Sequence, residues 1–354
     1  MSNIKPQNLA WINNTKGMAI FFVILGHALV KLSNINIIDD VGRLNYILNI
    51  IYSIHIYTFF VVSGYLFNSS INQIYSHGYI FDFIRKKAYR LIIPYIIWSL
   101  MQGGLLVFLS TYTNFLKEKK TIHDLINIWY EPIAQFWFLQ VLFLINIILV
   151  FYFYIMPRSR YSVMLLLFIN LLTIIFRQEF INSSLLYNLS TMPLYFTIGI
   201  ILGKCKSKID YFVQKKYSVL VLLGIWVVFE ILIPNKNKEF SPYIDNIMFY
   251  RSIIGISFII TLFMKLEQSK TLQTKWLQKL GQHSLPIYVL HVLCGIGVIT
   301  ILYNILHIKN LYVLLVVALS FSMALPILLN KIARKLRIAF VFGGYTSSDS
   351  NCRI

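Results

Sequence analysis

A lysine and a histidine near the start of the chain have the types and spacing of a reactive pair. Lys16 and His27 lie 11 residues apart in an apolar segment. In a helix this spacing is about three turns plus 20°, so both side chains project from one face, about 16 Å apart along the axis. A cation at one end can hold an anionic molecule, and a neutral imidazole deeper in can act as a base. The alternative is that Lys16 is a basic flank of a membrane helix and His27 makes an interhelical hydrogen bond.

Two further histidines, His55 and His291, also lie in apolar segments. Carboxylates are nearly absent from those segments, Glu230 near a helix end being the main exception, which argues against a carboxylate proton relay. We expect His55 at a depth close to that of His27. There it orients His27, contacts a substrate, or makes an interhelical hydrogen bond without a catalytic part. The three cysteines lie far apart without C-x-x-C spacing, so neither a disulfide framework nor a metal site is predicted.

The elements that position these residues follow from composition. Of the 354 residues 58% are hydrophobic and only 13% are charged, and the mean hydropathy is +0.69. Because soluble domains carry about a quarter charged residues, this chain is predicted to be an all-α integral membrane protein, a bundle of about ten transmembrane helices. The predicted spans are 17–32, 47–67, 91–115, 136–155, 161–176, 185–203, 218–233, 247–266, 285–306 and 311–329. Residues 1–337 are expected to form one membrane domain, and residues 338–354 a flexible polar tail.

The net charge of +19 suggests nucleic-acid binding until it is compared with topology. If the N-terminus is cytoplasmic, 22 of the 32 basic residues fall on the cytoplasmic side. Membrane proteins concentrate Lys and Arg on that side, so the predicted topology has both termini in the cytoplasm. The excess of basic residues is then explained by the orientation of the protein in a lipid bilayer, and no nucleic-acid partner is predicted.

Six short elements occur in order along the chain. They are Lys16-x10-His27, Phe59-Phe60-x-x-Ser63-Gly64-Tyr65-Leu66, the basic stretch from Arg85 to Pro94, Gln135-Phe136-Trp137-Phe138-Leu139, the stretch from Pro193 to Gly199, and Leu280-Gly281-x-x-Ser284-x-x-Ile287-Tyr288-x-x-His291. Together they resemble the elements of the acyltransferase-3 family of membrane acyltransferases, over about residues 10–330. The chain departs from the family at one position, since it has Lys87-x-x-Arg90 where the family has R-x-x-R. Lysine keeps the positive charge but lacks the planar two-pronged guanidinium of arginine, which changes how this position can bind an anion.

The resemblance implies transfer of an acyl group, most often acetyl from acetyl-CoA, to a sugar hydroxyl. The expected acceptor is an envelope polysaccharide or its lipid-linked precursor, and the expected location is the bacterial inner membrane. His27 is the expected catalytic residue, as general base or as acyl carrier. Acetyl-CoA is the expected co-substrate without a metal, and its phosphates are expected to meet Lys16, Lys87 and Arg90. Substrate contacts or supporting positions are expected at His55, Ser63, Trp137, Tyr288 and His291.

Each supporting position has a structural alternative. Ser63, Trp137 or Tyr288 could donate to the oxyanion of a tetrahedral intermediate. Ser63 with Gly64 could instead permit close helix packing, and the two aromatic residues could lie in the interfacial belts. For the whole chain the main alternative is a flippase or transporter of a glycan lipid or small solute, although no internal duplication is evident. A glycan polymerase and a non-catalytic lipid-binding member of the family also stay open, as does the oligomeric state.

Overall fold

The protein is described by a computed structural model for residues 10–74, 76, 78–112, 120–157, 159–232, 246–269 and 274–344. These residues form helices joined by short connections, and none of them lies in a β-strand. In chain order the α-helices are α1 (Ala10–Asn34), α2 (Val41–Ile71), α3 (Tyr79–Lys87), α4 (Ile93–Tyr112), α5 (Ile122–Ile126), α6 (Trp137–Ile155), α7 (Arg160–Ile175), α8 (Ser184–Lys204), α9 (Lys206–Gln214), α10 (Ser218–Leu232), α11 (Asn246–Ser269), α12 (Lys275–Gln282), α13 (Ser284–His291), α14 (Gly297–Asn304) and α15 (Leu311–Lys335). The predicted all-α class is confirmed.

Two π-helical turns join α-helices end to end. Ala88–Ile92 connects α3 to α4, and Val292–Ile296 connects α13 to α14. Each of these combined helices is long and apolar enough to cross a membrane. A π turn inserts an extra residue into the helical repeat and is often found at functional sites. Both turns adjoin residues that the sequence analysis singled out, Lys87 and Arg90 in one case and His291 in the other.

Eight helical stretches among the described residues are long and apolar enough to cross a membrane. They correspond to eight of the ten predicted spans. The remaining two predictions coincide with α7, of 16 residues, and α10, of 15 residues. At about 1.5 Å per residue these helices are about 24 and 22 Å long, which is shorter than a hydrocarbon core of about 30 Å. A helix satisfies its backbone polar groups internally, which is why a lipid-embedded chain of this composition is helical.

The chain divides into two compact units. The first unit comprises the described residues of Met1–Val62 and Lys204–Ile327. In it α1 packs against α11, α12 and α13. Near the C-terminal end of α1, a small apolar core is formed by Ala28, Leu32, Ile299, Leu314 and Ala318. The first unit therefore surrounds the helix that carries Lys16 and His27.

The second unit comprises the described residues of Ser63–Gly203 and Leu328–Ile354. Its interior contains a reciprocal amide pair, in which Gln102 Nε2 donates to Gln135 Oε1 at 3.3 Å and Gln135 Nε2 donates to Gln102 Oε1 at 3.0 Å. The Tyr95 hydroxyl donates to the carbonyl of Ile128. These bonds attach α4 to the segment before α6.

The described part of the predicted polar tail, residues 338–344, is packed within the second unit. Ala339–Phe342 form a 3₁₀ helix, and Phe342 is only 6% exposed. Trp98 Nε1 donates to the carbonyl of Val341 at 2.7 Å, and the Trp98 and Phe342 rings stack with centroids 5.4 Å apart. Apolar burial and a satisfied indole N–H therefore order a stretch beyond the predicted boundary at residue 337. Residues 345–354 lie outside the described residues.

Candidate active site: a histidine cluster in the first unit

Lys16 and His27 lie on one uninterrupted helix. α1 runs from Ala10 to Asn34 without a break, so the predicted separation of about 16 Å along the axis applies. Both side chains are half-buried. The helix places a cation near its beginning and an imidazole two-thirds of the way along, as the spacing predicts.

The N-terminal part of α1 packs closely against α12. A Cβ added to Gly17 would lie 2.1 Å from the carbonyl oxygen of Leu277, and one added to Gly281 would lie 1.8 Å from that of Asn13. Only glycine permits backbones to approach this closely. As a result α12, with its exposed Lys275 and Lys279, lies next to the helix turn that carries Lys16. In the sequence these two lysines counted only as basic residues of a loop.

His27 is one of five rings that lie close together in the first unit. The His27 and His291 ring centroids are 5.0 Å apart, and those of His27 and Tyr52 are 6.2 Å apart. Tyr52 in turn meets His55 edge-on, with centroids 4.7 Å apart. Tyr288 lies one turn before His291, with ring centroids 5.9 Å apart. We call His27, Tyr52, His55, Tyr288 and His291 the histidine cluster.

Two histidines of the cluster are held by their own helices. His55 Nδ1 donates to the carbonyl of Ile51 at 2.7 Å, and His291 Nδ1 donates to the carbonyl of Tyr288 at 2.7 Å. Because a carbonyl oxygen can only accept, Nδ1 carries the proton in each ring and Nε2 of the neutral ring is an acceptor. Both Nε2 atoms are buried and have no hydrogen-bond partner among the described residues. The bond predicted between helices for His55 is therefore a bond within α2.

His27 differs from these two rings in exposure. His55 is 1% exposed and His291 is 2% exposed, whereas His27 is half-buried. Gly26 precedes it, and a Cβ there would lie 2.8 Å from a Tyr52 ring carbon, so the glycine admits the Tyr52 ring beside α1. His27 is thus the least buried histidine of the cluster.

Tyr52 is a member of the histidine cluster that the sequence analysis did not predict. It is one of 23 tyrosines, and no motif includes it. Its place is set by the helical repeat, because a residue three positions before His55 shares a face with it. Spacing from His55 could therefore have nominated it once α2 was known to face α1.

The other predicted site residues lie in the second unit. Lys87 is the last residue of α3, half-buried, with Nζ 5.2 Å from the centroid of the Phe83 ring. Arg90 lies in the following π turn and is exposed, and Trp137 is the half-buried first residue of α6. Their predicted roles in donor binding and oxyanion stabilisation stay predictions.

Ser63 is the first residue of the second unit and is half-buried on α2. A Cβ at the adjacent Gly64 would lie 1.9 Å from the carbonyl oxygen of Phe196 on α8. The Ser-Gly element therefore meets the Pro193-to-Gly199 element at a close helix contact, which the packing interpretation requires. The oxyanion interpretation of Ser63 stays a prediction.

A charged cluster was missed in part by sequence reasoning. Arg251 is fully buried, its Nε donates to Glu230 Oε1 at 2.6 Å, and its Nη2 donates to Oε2 at 2.9 Å. Trp226 Nε1 donates to Oε1 at 3.2 Å, and the Tyr46 hydroxyl donates to Oε2 at 3.4 Å. We call these four residues the Arg–Glu cluster. The signal was present, because Arg251 falls inside the predicted span 247–266 and an ionisable residue there is a candidate by default.

Among the described residues, no group of three or more His, Cys, Asp or Glu side chains is arranged to hold a metal ion. The histidine cluster brings three imidazoles together in the first unit. His27 is half-buried, and His55 and His291 each keep an Nε2 acceptor without a partner among the described residues. Such a set can take a proton from a hydroxyl, or carry an acyl group on a His27 nitrogen.

Fold and site define a multi-pass helical membrane protein with three histidine side chains close together in its first unit. The sequence profile of the acyltransferase domain family matches residues 9–331, nearly the whole chain. The chain belongs to the acyltransferase-3 family, and the resemblance carried by the six elements is confirmed. It is thus a membrane acyltransferase. No curated protein and no solved structure gives a significant match to the chain.

Proposed function

We propose that the protein is an O-acetyltransferase of the bacterial inner membrane. It transfers acetyl from cytosolic acetyl-CoA to a sugar hydroxyl of an envelope polysaccharide or its lipid-linked precursor. The observation that carries the proposal is the position of His27. It is the least buried histidine of the histidine cluster, and it shares a continuous helix with Lys16 in a chain of the acyltransferase-3 family.

The reaction needs one base and no redox partner. The sugar oxygen bonds to the thioester carbonyl carbon, and its proton passes to His27. The tetrahedral intermediate collapses, the carbon–sulfur bond breaks, and the CoA thiolate takes the proton from His27. A second route has the same balance in two steps, with the acetyl group carried on a His27 nitrogen. Intact-mass measurement after incubation with acetyl-CoA alone separates the routes, because only the second leaves an acetylated protein.

The donor is proposed to approach along the beginning of α1. CoA carries several phosphate charges, and charge-assisted bonds from lysine ammonium groups suit them. Lys16 on α1 and the exposed Lys275 and Lys279 on the adjacent α12 supply three such groups in one unit. In the predicted topology this end of α1 faces the cytoplasm. Lys87 and Arg90 are further proposed phosphate contacts.

The proposal is tested on the cell-surface glycans. Mass spectrometry of glycans from cells with and without the gene should show acetyl groups that disappear with the gene and return with a plasmid copy. A copy carrying His27→Ala should fail to restore them at equal protein level in the membrane. The control is His123→Ala, a change at an exposed histidine of α5. Full acetylation with His27→Ala would remove His27 from the reaction.

A further inference from the structure

A histidine that accepts a proton from a substrate inside the membrane needs a hydrogen-bond acceptor for its other ring nitrogen. A protonated imidazole carries an N–H on both nitrogens, and a buried donor without an acceptor is destabilising, most of all when it is charged. In serine hydrolases a carboxylate accepts from the nitrogen opposite the reacting one and orients the ring. The question is which group does this for His27.

The carboxylates in the membrane helices of the first unit are engaged elsewhere. Glu230 accepts both bonds of the Arg251 fork, and Glu267 accepts from the backbone N–H of Trp11 at 3.4 Å. Neither carboxylate has a recorded contact with His27. The histidine cluster, in contrast, holds two buried ring nitrogens that can accept a hydrogen bond, Nε2 of His55 and Nε2 of His291.

His291 has the required acceptor in the required place. Its Nε2 is buried and without a partner among the described residues, and its ring centroid lies 5.0 Å from that of His27. Imidazoles that share an N–H···N bond have centroids about 5 Å apart, since an N···N distance of about 2.9 Å adds to two ring radii of about 1.1 Å. The observed centroid distance between His27 and His291 therefore matches that of a hydrogen-bonded imidazole pair.

The surroundings of His291 hold its ring still. Nδ1 is bonded to the Tyr288 carbonyl, which keeps the proton on Nδ1 and the lone pair on Nε2. Ser322 Oγ on α15 donates to the backbone carbonyl of His291 at 3.2 Å. The π turn Val292–Ile296 begins at the next residue. An acceptor fixed in this way can orient a neighbouring ring with little loss of its own entropy.

We infer that His291 is a positioning residue for His27, accepting through Nε2 the N–H that His27 presents when it carries the transferred proton. The inference rests on the proposed function of His27. It assigns to a second histidine the part that a carboxylate plays in a triad. His55 also has a buried Nε2 without a partner among the described residues, but its ring lies against Tyr52, whereas the His291 ring lies against His27.

The test compares three variants of the purified full-length protein. His291→Phe keeps a ring but removes the acceptor, His291→Gln restores an acceptor oxygen, and His55→Phe is the matched control with an equally buried histidine. The assay uses labelled acetyl-CoA, with glycan from cells lacking the gene as acceptor. We expect His291→Phe to lower kcat about 100-fold with the KM for acetyl-CoA changed less than about twofold. His291→Gln should recover at least about tenfold of that loss, and His55→Phe should cost less than about tenfold.

A second measurement does not depend on transfer. Diethyl pyrocarbonate acylates neutral imidazole nitrogens, and its labelling of His27 is followed by peptide mass spectrometry. An acceptor at one nitrogen raises the nucleophilicity of the other, so His27 should be labelled more slowly in His291→Phe than in the wild type or in His291→Gln. If the wild type transfers no acetyl group, the proposed function fails, and this labelling still decides the inference.

Two results overturn the inference. One is an unchanged His27 labelling rate in His291→Phe. The other is an equal loss of kcat in His291→Phe and His55→Phe without recovery in His291→Gln, which would mean that both histidines act through packing. If His291→Phe fails to give monodisperse protein, His291→Leu takes its place with the same expectations, because it also lacks the acceptor.

Discussion

The first unit contains two polar clusters that share α2 and are built on opposite principles. In the histidine cluster the groups are neutral, and two buried Nε2 atoms have no partner among the described residues. In the Arg–Glu cluster the groups are charged, and Glu230 receives four hydrogen bonds from Arg251, Trp226 and Tyr46. Of the Arg251 guanidinium, only Nη1 lacks a partner among the described residues.

The difference follows from the energetics of burial. A charge in a low-dielectric interior is tolerated only when it is paired and bonded, whereas a neutral imidazole can keep an open lone pair at moderate cost. A closed network holds helices together, and an open acceptor is available to a substrate or a proton. In the proposed function the chemistry therefore lies in the histidine cluster, whereas the bonds of the Arg–Glu cluster join α2, α10 and α11.

The largest expected effect is on activity at His27. His27→Ala should lower acetyl transfer by about 10³-fold or more, because the general base or acyl carrier is removed while the two buried rings remain. The purified variant should keep the melting temperature of the wild type within a few degrees. A variant that unfolds, or one that retains the wild-type rate, would contradict the assignment of chemistry to this cluster.

The Arg–Glu cluster should respond in the opposite way. Arg251→Met leaves Glu230 near the membrane interior without its partner, which should cost about 3–5 kcal/mol of stability. The double variant Glu230→Leu with Arg251→Met should lose less than either single change, because no unpaired charge remains. Thermal unfolding in detergent measures this, and transfer per folded molecule should stay near the wild-type value. A large loss of specific activity in well-folded protein would give this cluster a part in the reaction.

Chemical labelling should separate the three histidines by exposure. Diethyl pyrocarbonate should modify His27 at least about tenfold faster than His55 or His291 in membranes, because the latter two are nearly inaccessible. Adding acetyl-CoA should slow the labelling of His27. Equal rates at the three positions would remove the distinction between an accessible base and buried partners.

The smallest effect is expected at the beginning of α1. Lys16→Ala should weaken the binding of acetyl-CoA to the purified protein about tenfold, the worth of one charge-assisted hydrogen bond, and Lys16→Arg should weaken it less. Isothermal calorimetry measures this in detergent. The matched control is Lys309→Ala, an exposed lysine before α15. Unchanged affinity in Lys16→Ala would exclude Lys16 from the donor site.

The sequence predicted the positions of the helices better than it predicted the contacts between them. Spans, helical class and the shared helix of Lys16 and His27 follow from apolar runs and from a constant rise per residue, which are local properties. The approach of α12 to Lys16 was not predicted, since it depends on Gly17 and Gly281 meeting backbone from distant parts of the chain. The packed stretch around Phe342 was predicted as tail for the same reason, because its partner Trp98 is far away in sequence.

By itself the sequence determined that this is a helical membrane protein of the acyltransferase-3 family with a histidine in its first helix. Hydrophobic periodicity, the uneven distribution of basic residues and the order of the motifs are properties of the sequence itself, so they can be recognised without a structure. Only the tertiary structure decided that His291 lies beside His27 while His55 packs on Tyr52, and that Arg251 pairs with Glu230. These contacts depend on which faces of the helices pack together. The sequence pattern shows which residues share a helix face, but it does not specify which other helix that face contacts.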